Sequence, residues 1–263
     1  MPTTLVTGSS DGIGAETARA LVGLGHRVVL HARNDQRADD ARAAVPGASE
    51  VLVGDLASLD EVRSLATAAE ALGRFDVVVH NAGVGGGVDE RVETVDGIER
   101  IFAVNVVAPY LLTALMQPPS RLIYLTSGLQ SQGTADLDDL QLTRRPWDGM
   151  QAYSDSKTWD VVLAMAVARL WPGTLSNAVD PGWIKTGMGG PQATDELAAG
   201  AETQVWLAAS DDPAATVTGR YLGRSGGRRE DRRGHEAAYD VAVQDGLLRA
   251  CAALTGVELT ARD

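Results

Sequence analysis

Short apolar runs alternate with longer stretches of helical periodicity along most of the chain. TTLVT (3–7) and RVVLHA (27–32) are each followed by a segment whose apolar residues recur every three to four positions. Runs of four to eight Val-, Leu- and Ile-rich residues are typical of buried strands, and the longer periodic segments are typical of helices. The predicted strands are 3–7, 27–32, 50–55, 75–83, 121–127, 175–182 and 220–223, and the predicted helices are 13–24, 34–44, 58–72, 96–116, 151–170 and 198–209.

This alternation predicts right-handed βαβ crossovers and a parallel sheet covered by helices on both faces. The fold class expected is α/β: a single-domain, doubly wound Rossmann three-layer sandwich with a mainly parallel seven-stranded sheet, spanning residues 1–263. Residues 235–263 are expected to form a C-terminal capping segment with one amphipathic helix. The Gly- and Arg-rich stretch 223–234 is expected to be a solvated loop.

Composition narrows the possible functions. The chain of 263 residues has a formal net charge of −12, which disfavours binding to nucleic acid because phosphate recognition needs a basic face. Cys251 is the only cysteine, and the four histidines show no metal-ligand spacing, so no disulfide and no metal site are expected. The sequence shows neither a signal peptide nor an apolar run long enough to span a membrane, so we expect a soluble, cytoplasmic protein.

A glycine-rich turn follows the first predicted strand. TGSSDGIG (7–14) places Gly8, Gly12 and Gly14 where strand becomes helix. Glycine allows positive φ and close approach of a phosphate, and the helix N-terminus offers free N–H groups. A lone glycine cluster is a weak signal, but this position in a βαβ series indicates a dinucleotide site.

The end of the second predicted strand indicates which dinucleotide is bound. An acidic residue there would bind the ribose 2′-hydroxyl of NAD, whereas this chain has Arg33 and Asn34. A guanidinium suits a 2′-phosphate through charge-assisted hydrogen bonds, which favours NADP(H) over NAD(H). Asp11 and Asp35 argue in the other direction, because each adds negative charge near the expected phosphate.

Lysine is rare in this chain, and its placement is informative. Lys157 and Lys185 are the only lysines, and Tyr153 stands four residues before Lys157. On a helix these two side chains would share a face, where an ammonium favours the ionised form of a phenol. A chance pairing is the alternative for this motif taken alone.

Seven motifs in order resemble the short-chain dehydrogenase/reductase family over residues 3–223. They are TGSSDGIG (7–14), DL (55–56), NAG (81–83), Asn105, LTS ending at Ser127, YSDSK (153–157) and DPGWIKT (180–186). The resemblance implies an oxidoreductase that transfers hydride between a nicotinamide cofactor and a carbonyl or alcohol. Together with Arg33 and the large apolar side chains described below, it leads us to expect an NADP(H)-dependent enzyme acting on an apolar carbonyl or secondary alcohol. A phenol with an ordinary pKa near 10 is a poor acid or base at neutral pH, so a neighbouring ammonium fits this role.

The resemblance also implies roles for individual residues. Tyr153 would be the general acid/base and Lys157 its cationic partner and ribose ligand, while Ser127 would bind the substrate oxygen and Asn105 a relay water. The implied cofactor-binding residues are Gly8, Ser10, Asp11, Gly12, Ile13, Gly14, Arg33, Asn34, Asp55, Leu56, Asn81, Ala82, Gly83, Tyr153, Lys157, Pro181, Gly182, Trp183, Ile184 and Thr186. Taken singly, Ser127 could be a strand-end cap, Asn105 a satisfied core amide and Asp55 a turn residue.

One departure concerns the spacing of the implied catalytic residues. Ser127 and Tyr153 are 26 positions apart, a wide spacing that resembles the branch containing the retinol dehydrogenases. The intervening segment 128–152 could be a lid or a fixed cover, and the Gly-rich segment 187–197 could be a substrate lid. Four large side chains suggest an apolar pocket mouth, although ordinary packing is an equal alternative: Trp147, Met150, Trp183 and Met188.

The family resemblance further implies a homodimer or homotetramer formed through the helices near 96–116 and 151–170. An alternative function is an NADP-binding regulator or sensor that keeps the fold without turnover, but such a protein need not retain Asn105, Ser127, Tyr153 and Lys157 together. A nucleotide-sugar epimerase or dehydratase is disfavoured because little chain remains after the last predicted strand to build a substrate domain. The fold alone does not separate these functions.

Overall fold

The computed structural model describes residues 1–85, 87–225 and 228–262. Its sheet has eight strands in the order β3-β2-β1-β4-β5-β6-β7-β8. The first seven are mutually parallel and β8 is antiparallel to β7. The strands are β1 (Thr3–Val6), β2 (Arg27–Ala32), β3 (Glu50–Val53), β4 (Val77–His80), β5 (Arg121–Leu125), β6 (Leu175–Val179), β7 (Arg220–Ser225) and β8 (Arg228–Arg232).

Helices cover both faces of this sheet and connect its parallel strands. They are α1 (Gly12–Gly23), α2 (Asp35–Ala44), α3 (Leu59–Ala71), α4 (Arg100–Phe102), α5 (Ala108–Leu115), α6 (Gly149–Leu170), α7 (Leu197–Ala209) and α8 (Val241–Thr255). A π-helical turn over Ala103–Val107 joins α4 to α5. The doubly wound α/β architecture expected from the sequence is therefore confirmed.

The prediction of a solvated loop at 223–234 is wrong. Most of this stretch belongs to a β-hairpin, paired from Tyr221 opposite Arg232 to Ser225 opposite Arg228, and it gives the sheet an eighth strand where seven were expected. A charged edge strand is stable when its side chains point to solvent and find partners. Arg220 pairs with Asp231 at 3.2 Å, and the Arg229 guanidinium lies 4.5 Å from the Trp206 ring centroid.

Two apolar layers hold the helices onto the sheet. On one face α3, α5 and α6 pack over the strands around fully buried residues such as Tyr110 and Trp159. On the other face α1 and α7 pack around Leu21 and Leu207. Burial of these side chains is the main contribution to the stability of the fold.

The C-terminal segment 235–262 packs on α6 and on part of α5. The Tyr110 hydroxyl donates to the Val257 carbonyl at 2.8 Å and accepts from the Leu259 amide at 3.1 Å. The Trp171 indole N–H donates to the Thr260 carbonyl at 2.8 Å. Residues 154–167 of α6 are all buried within this one chain.

The chain adds β2 and β3 on one side of β1 and then returns to add β4 on the other side. The strand order therefore reverses between β1 and β4. Connections that leave the carboxyl ends of two such strands diverge and leave a crevice between them. The sequence motifs singled out above follow the carboxyl ends of β1, β2, β3, β4, β5 and β6. The fold therefore places these motifs along one edge of the sheet.

Candidate functional site

A cavity of about 610 Å³ lies along this edge. The glycine-rich turn and the ends of β2 and β3 form one end of it, and the start of α6 with the end of β5 forms the other. The lining residues are Gly8, Ser10, Asp11, Gly12, Ile13, Gly14, His31, Ala32, Arg33, Arg37, Asp55, Leu56, Ala57, Asn81, Ala82, Gly83, Val84, Arg100, Val104, Leu125, Thr126, Tyr153, Lys157, Pro181, Thr186, Gly187 and Met188.

The glycine-rich turn needs its glycines for two reasons. Gly8 has φ +62°, a conformation that side chains other than glycine rarely adopt. At Gly14 a Cβ atom would lie 2.3 Å from the Gly8 carbonyl oxygen and 2.4 Å from the side-chain nitrogen Nδ2 of Asn81. The Asn81 side chain donates to the Thr7 and Gly8 carbonyls at 2.8 and 3.0 Å, which fixes the turn to the end of β4. The turn is thus held open at the N-terminus of α1, where a pyrophosphate is favoured.

His31 lies beneath the turn and joins the ends of three strands. The Gly8 backbone N–H donates to its Nδ1 at 3.0 Å, and its Nε2 is 2.8 Å from the Gly54 carbonyl oxygen. Because a backbone N–H can only donate and a carbonyl can only accept, His31 is neutral with its proton on Nε2. Burial lowers the pKa of His31, outweighing the Gly54 and Asp55 contributions that would raise it, and so maintains this form.

Two arginines line the end of the cavity near β2. Arg33 is exposed and has no ion-pair partner among the residues that the structure describes. Arg37, in the first turn of α2, donates to the Asp11 carboxylate at 2.5 Å and to Asp40 at 2.7 Å. Asn34 does not line the cavity; its side chain caps α2 by accepting from the Arg37 amide at 2.9 Å. This end therefore presents one free guanidinium and one that an exposed carboxylate already binds.

Tyr153 and Lys157 line the opposite end. The Lys157 ammonium lies 5.7 Å from the centroid of the Tyr153 ring, as their spacing of four residues on α6 predicts. The ring packs against the backbone of Gly85, where a Cβ atom would come within 2.3 Å of Tyr153 Cδ2. Lys157 Nζ also donates to the Leu125 carbonyl at 2.9 Å and to Asp160 Oδ2 at 2.7 Å. A cation and a phenol thus share one wall of the cavity.

Asn105 lies behind this wall, within the π-helical turn. Its Oδ1 accepts from the Val84 amide at 2.8 Å, and its Nδ2 donates to the Val84 carbonyl and to Ser156 Oγ, each at 2.9 Å. All three contacts are satisfied inside the protein, and Asn105 does not line the cavity. A π-helical turn inside a helix often occurs at functional sites. Here it holds the 81–84 segment against α6.

Ser127 also lies outside the cavity lining, whereas its neighbour Thr126 is part of it. The Ser127 hydroxyl accepts from the Leu129 amide at 3.3 Å and so caps a short 3₁₀ helix. The segment that follows is fixed to α6: the Thr134 amide and the Arg145 guanidinium both donate to Asp155, at 2.8 and 2.7 Å. These bonds favour the interpretation of residues 128–152 as a fixed cover over that of a lid.

The loop after β6 covers the middle of the cavity. Pro181, Thr186 and Met188 line it, with Thr186 close to Gly12 of the glycine-rich turn. Gly182, Trp183 and Ile184 do not line it. An isolated bridge between Ile184 and Asp195 closes the loop on itself, and Trp183 is half-exposed at its surface.

Most of the predicted site residues meet at this one cavity, although six do not line it. Those lining it are Gly8, Ser10, Asp11, Gly12, Ile13, Gly14, Arg33, Asp55, Leu56, Asn81, Ala82, Gly83, Tyr153, Lys157, Pro181 and Thr186. Those outside its lining are Asn34, Asn105, Ser127, Gly182, Trp183 and Ile184. Sequence reasoning missed His31, Arg37 and Asp160. Of these only Asp160 carries a local signal, since it stands three residues after Lys157 on the same helix.

Two kinds of feature are absent from the part of the chain that the structure describes. Within 1–85, 87–225 and 228–262, no group of three or more His, Cys, Asp or Glu side chains could hold a metal ion. Over the same part of the chain, no helix is long and apolar enough to cross a membrane.

Comparison with known proteins establishes the family. The family profile described as short chain dehydrogenase matches residues 2–197, so the chain belongs to the short-chain dehydrogenase/reductase family. "Short-chain dehydrogenase chry4" of Gibberella zeae is 38% identical over 258 residues, covering 97% of each chain. Human "Retinol dehydrogenase 14" is 30% identical over 264 residues, covering 84% of this chain and 77% of its own, which agrees with the resemblance to the retinol dehydrogenase branch.

Solved structures show the same fold. The crystal structure of an uncharacterized protein from Mycobacterium paratuberculosis has a TM-score of 0.84 at 27% identity, covering 98% of this chain and 95% of its own. A blue fluorescent protein from a metagenomic library, solved in complex with NADPH, has a TM-score of 0.66 at 27% identity, covering 86% of this chain and 97% of its own. The chain is an oxidoreductase of this family.

Proposed function

We propose that this oxidoreductase uses NADP(H) to interconvert an apolar carbonyl compound and the corresponding alcohol, with Tyr153 as general acid/base. The observation that carries the proposal is the sharing of one cavity wall by Tyr153 and Lys157, at the end of the cavity opposite to the arginines. A phenol beside a buried ammonium is suited to proton transfer near neutral pH.

The residues around the cavity suit a dinucleotide phosphate. The glycine-rich turn lets a pyrophosphate approach the backbone at the N-terminus of α1, because Gly8 and Gly12 have positive φ and carry no side chain. Arg33 and Arg37 supply two guanidinium groups where a 2′-phosphate would be bound. The residue that follows β2 is Arg33, not the acidic residue that would bind a ribose 2′-hydroxyl. The NADPH complex of a structural relative supports the same choice of cofactor.

When bound, NADP(H) would supply or accept the hydride. The chain's own residues would then manage charge and protons at the carbonyl oxygen. Hydride addition leaves an alkoxide, which Tyr153 would protonate. Lys157 would favour the resulting phenolate. In the reverse direction the phenolate would remove the alcohol proton.

Purified protein should be assayed for NADPH oxidation against a panel of aldehydes and ketones, with NADH in parallel. We expect turnover with NADPH, weaker turnover with NADH, and a loss of about 10²–10⁴-fold in Tyr153→Phe, the usual contribution of acid/base catalysis. Tyr239→Phe is the matched control. Because Tyr239 does not line the cavity, this variant should keep full activity. Unchanged turnover in Tyr153→Phe would refute the mechanism, and a preference for NADH would refute the assignment of cofactor.

A further inference from the structure

Asp160 lies one helical turn beyond Lys157 on α6 and makes an ion pair with it. Asp160 Oδ2 is 2.7 Å from Lys157 Nζ, and the two side chains are only 3% and 5% exposed. A buried ion pair in a wall of the cavity is costly to desolvate and contributes little net stability. Its presence beside Tyr153 therefore needs a functional explanation.

The first part of the explanation is geometric. A lysine ammonium has three N–H donors. Lys157 uses one on the Leu125 carbonyl at 2.9 Å and one on Asp160. Because those two directions are fixed, the tetrahedral geometry of the nitrogen also fixes the third. Only one N–H is left for Tyr153 or a ligand, and Asp160 decides where it points.

The second part is electrostatic. Burial pulls the pKa of Lys157 down, but Asp160 and Tyr153 together raise it above its ordinary value. Asp160 is thus the fixed counter-ion that offsets the desolvation of the ammonium. Burial also raises the pKa of Asp160, to about 6, while Lys157 opposes that rise, so the carboxyl is ionised at neutral pH.

The other groups near Asp160 do not compete for this role. The phenol of Tyr124 on β5 faces it, and burial raises the pKa of that phenol, so Tyr124 remains neutral. His80 stacks on Tyr124 at 4.9 Å and is also neutral, since burial lowers its pKa to about 3. Among the described residues, Lys157 is the cation that faces Asp160.

We propose that Asp160 is a positioning residue that keeps the Lys157 ammonium charged and directs its remaining N–H into the cavity. The inference deepens the proposed function and rests on it for the role of Lys157 in catalysis. The charge state of Lys157 can nevertheless be measured without any turnover.

The small number of lysines makes this measurement direct. Protein labelled selectively with ¹³C/¹⁵N-lysine gives two side-chain signals, from buried Lys157 and from exposed Lys185, which pairs with Glu196. A pH titration should be followed in wild-type protein and in Asp160→Asn, which keeps a side-chain acceptor and removes the charge. We expect Lys157 to lose its proton at least about one pH unit lower in Asp160→Asn than in wild type, as buried lysines without a counter-ion do.

Lys185 is the internal control, and Glu196→Gln is the matched variant. Glu196→Gln removes this exposed partner and should leave the Lys157 titration as it is in wild type, because exposed ion pairs are weak. A Lys157 titration that is the same in wild type and Asp160→Asn would overturn the proposal.

A second measurement needs no variant, should Asp160→Asn fail to fold. In wild type the Lys157 signal should shift as Asp160 is protonated near pH 6, whereas the Lys185 signal should show no such step. Absence of that step would also overturn the proposal. If the step appears but no carbonyl compound is reduced, the proposed function fails and the inference about Asp160 stands.

Discussion

The two ends of the cavity each hold an acid–base ion pair, and the pairs differ in their exposure. Lys157 and Asp160 are only 5% and 3% exposed, whereas Arg37 and Asp11 are 30% and 77% exposed. The distances are similar, at 2.7 and 2.5 Å. Because water screens the second pair and not the first, the same contact distance corresponds to very different energies. We call the end lined by Tyr153, where proton transfer is proposed, the reacting end, and the end lined by Arg33, where a phosphate is proposed to bind, the binding end. We interpret the buried pair as a fixed part of the reacting end and the exposed pair as an adjustable part of the binding end.

The largest effect is expected from breaking the buried pair. Lys157→Met should lower the free energy of unfolding by about 3–5 kcal/mol at pH 7.5, because it leaves Asp160 buried without a partner. The double variant Lys157→Met/Asp160→Leu should recover most of that loss while remaining inactive. Urea unfolding checks the stabilities. Arg37→Met is the matched change in the exposed pair and should cost less than about 1 kcal/mol. An equal loss of unfolding free energy in Lys157→Met and Arg37→Met would contradict the comparison.

The next largest effect is expected at the free guanidinium of the binding end. Arg33→Ala should weaken NADPH binding by about tenfold or more, the usual loss for hydrogen bonds to a charged group, and leave NADH binding unchanged. Isothermal titration calorimetry measures both affinities without turnover. Arg42→Ala is the control, since Arg42 is an exposed arginine on the neighbouring helix α2 and does not line the cavity. Equal weakening of NADPH and NADH binding would show that Arg33 does not recognise the 2′-phosphate.

A smaller, pH-dependent effect is expected from His31, which underlies the binding end. Its folded pKa is below 6.5, so the unfolded chain takes up more protons than the folded one as the pH falls below 6.5, and stability decreases. His31→Asn should cost about 1–2 kcal/mol at pH 7.5 through the lost hydrogen bond to Gly54, and its stability should depend less on pH between 7.5 and 5.5. Urea unfolding at several pH values tests this.

Some pH dependence should persist in that variant, because burial also lowers the pKa values of His26 and His80. A variant whose stability depends on pH as steeply as that of wild type would show that His31 does not contribute.

The smallest effect is expected from freeing Arg37. Asp11→Asn removes the carboxylate that competes with a phosphate for this guanidinium, and it should tighten NADPH binding by about two- to fivefold, within the range of an exposed ion pair. The gain should shrink at high salt. Asp39→Asn is the control, because it makes the same charge change on α2 but Asp39 pairs with Arg42 and does not line the cavity. Tighter NADH binding in Asp11→Asn would point to a general charge effect.

Much of this fold followed from local patterns. The alternation of apolar runs and helical periods located seven strands and the long helices to within a few residues, and the order of motifs located the cavity edge. Strand β8 (Arg228–Arg232) was missed because its residues are charged, so no apolar run marks it as a strand. Its partners, Trp206 and Arg220, are close only after folding.

The site was predictable where its chemistry is local. Tyr153 and Lys157 share a helix face, and their spacing is visible in the sequence. His31 was missed because its role depends on three strand ends that converge only in the sheet. Asp160 stands at a helical spacing from Lys157, but the burial that makes the pair unusual comes from packing against β5. Local spacing thus predicts which side chains meet, whereas tertiary packing decides how strongly they interact.

The covering of α6 by the C-terminal segment has a consequence for the order of folding. Its anchoring bonds join residues far apart in the chain, such as Tyr110 with Leu259, separated by 149 positions, and Arg63 with Thr255, separated by 192. Contacts of such high sequence separation form late, because the intervening chain must first be ordered. The C-terminal segment would therefore dock onto a nearly complete sheet, and its docking would complete the burial of Trp171. The rate of that last docking step, more than the stability of the sheet, would set how long this chain is open to aggregation.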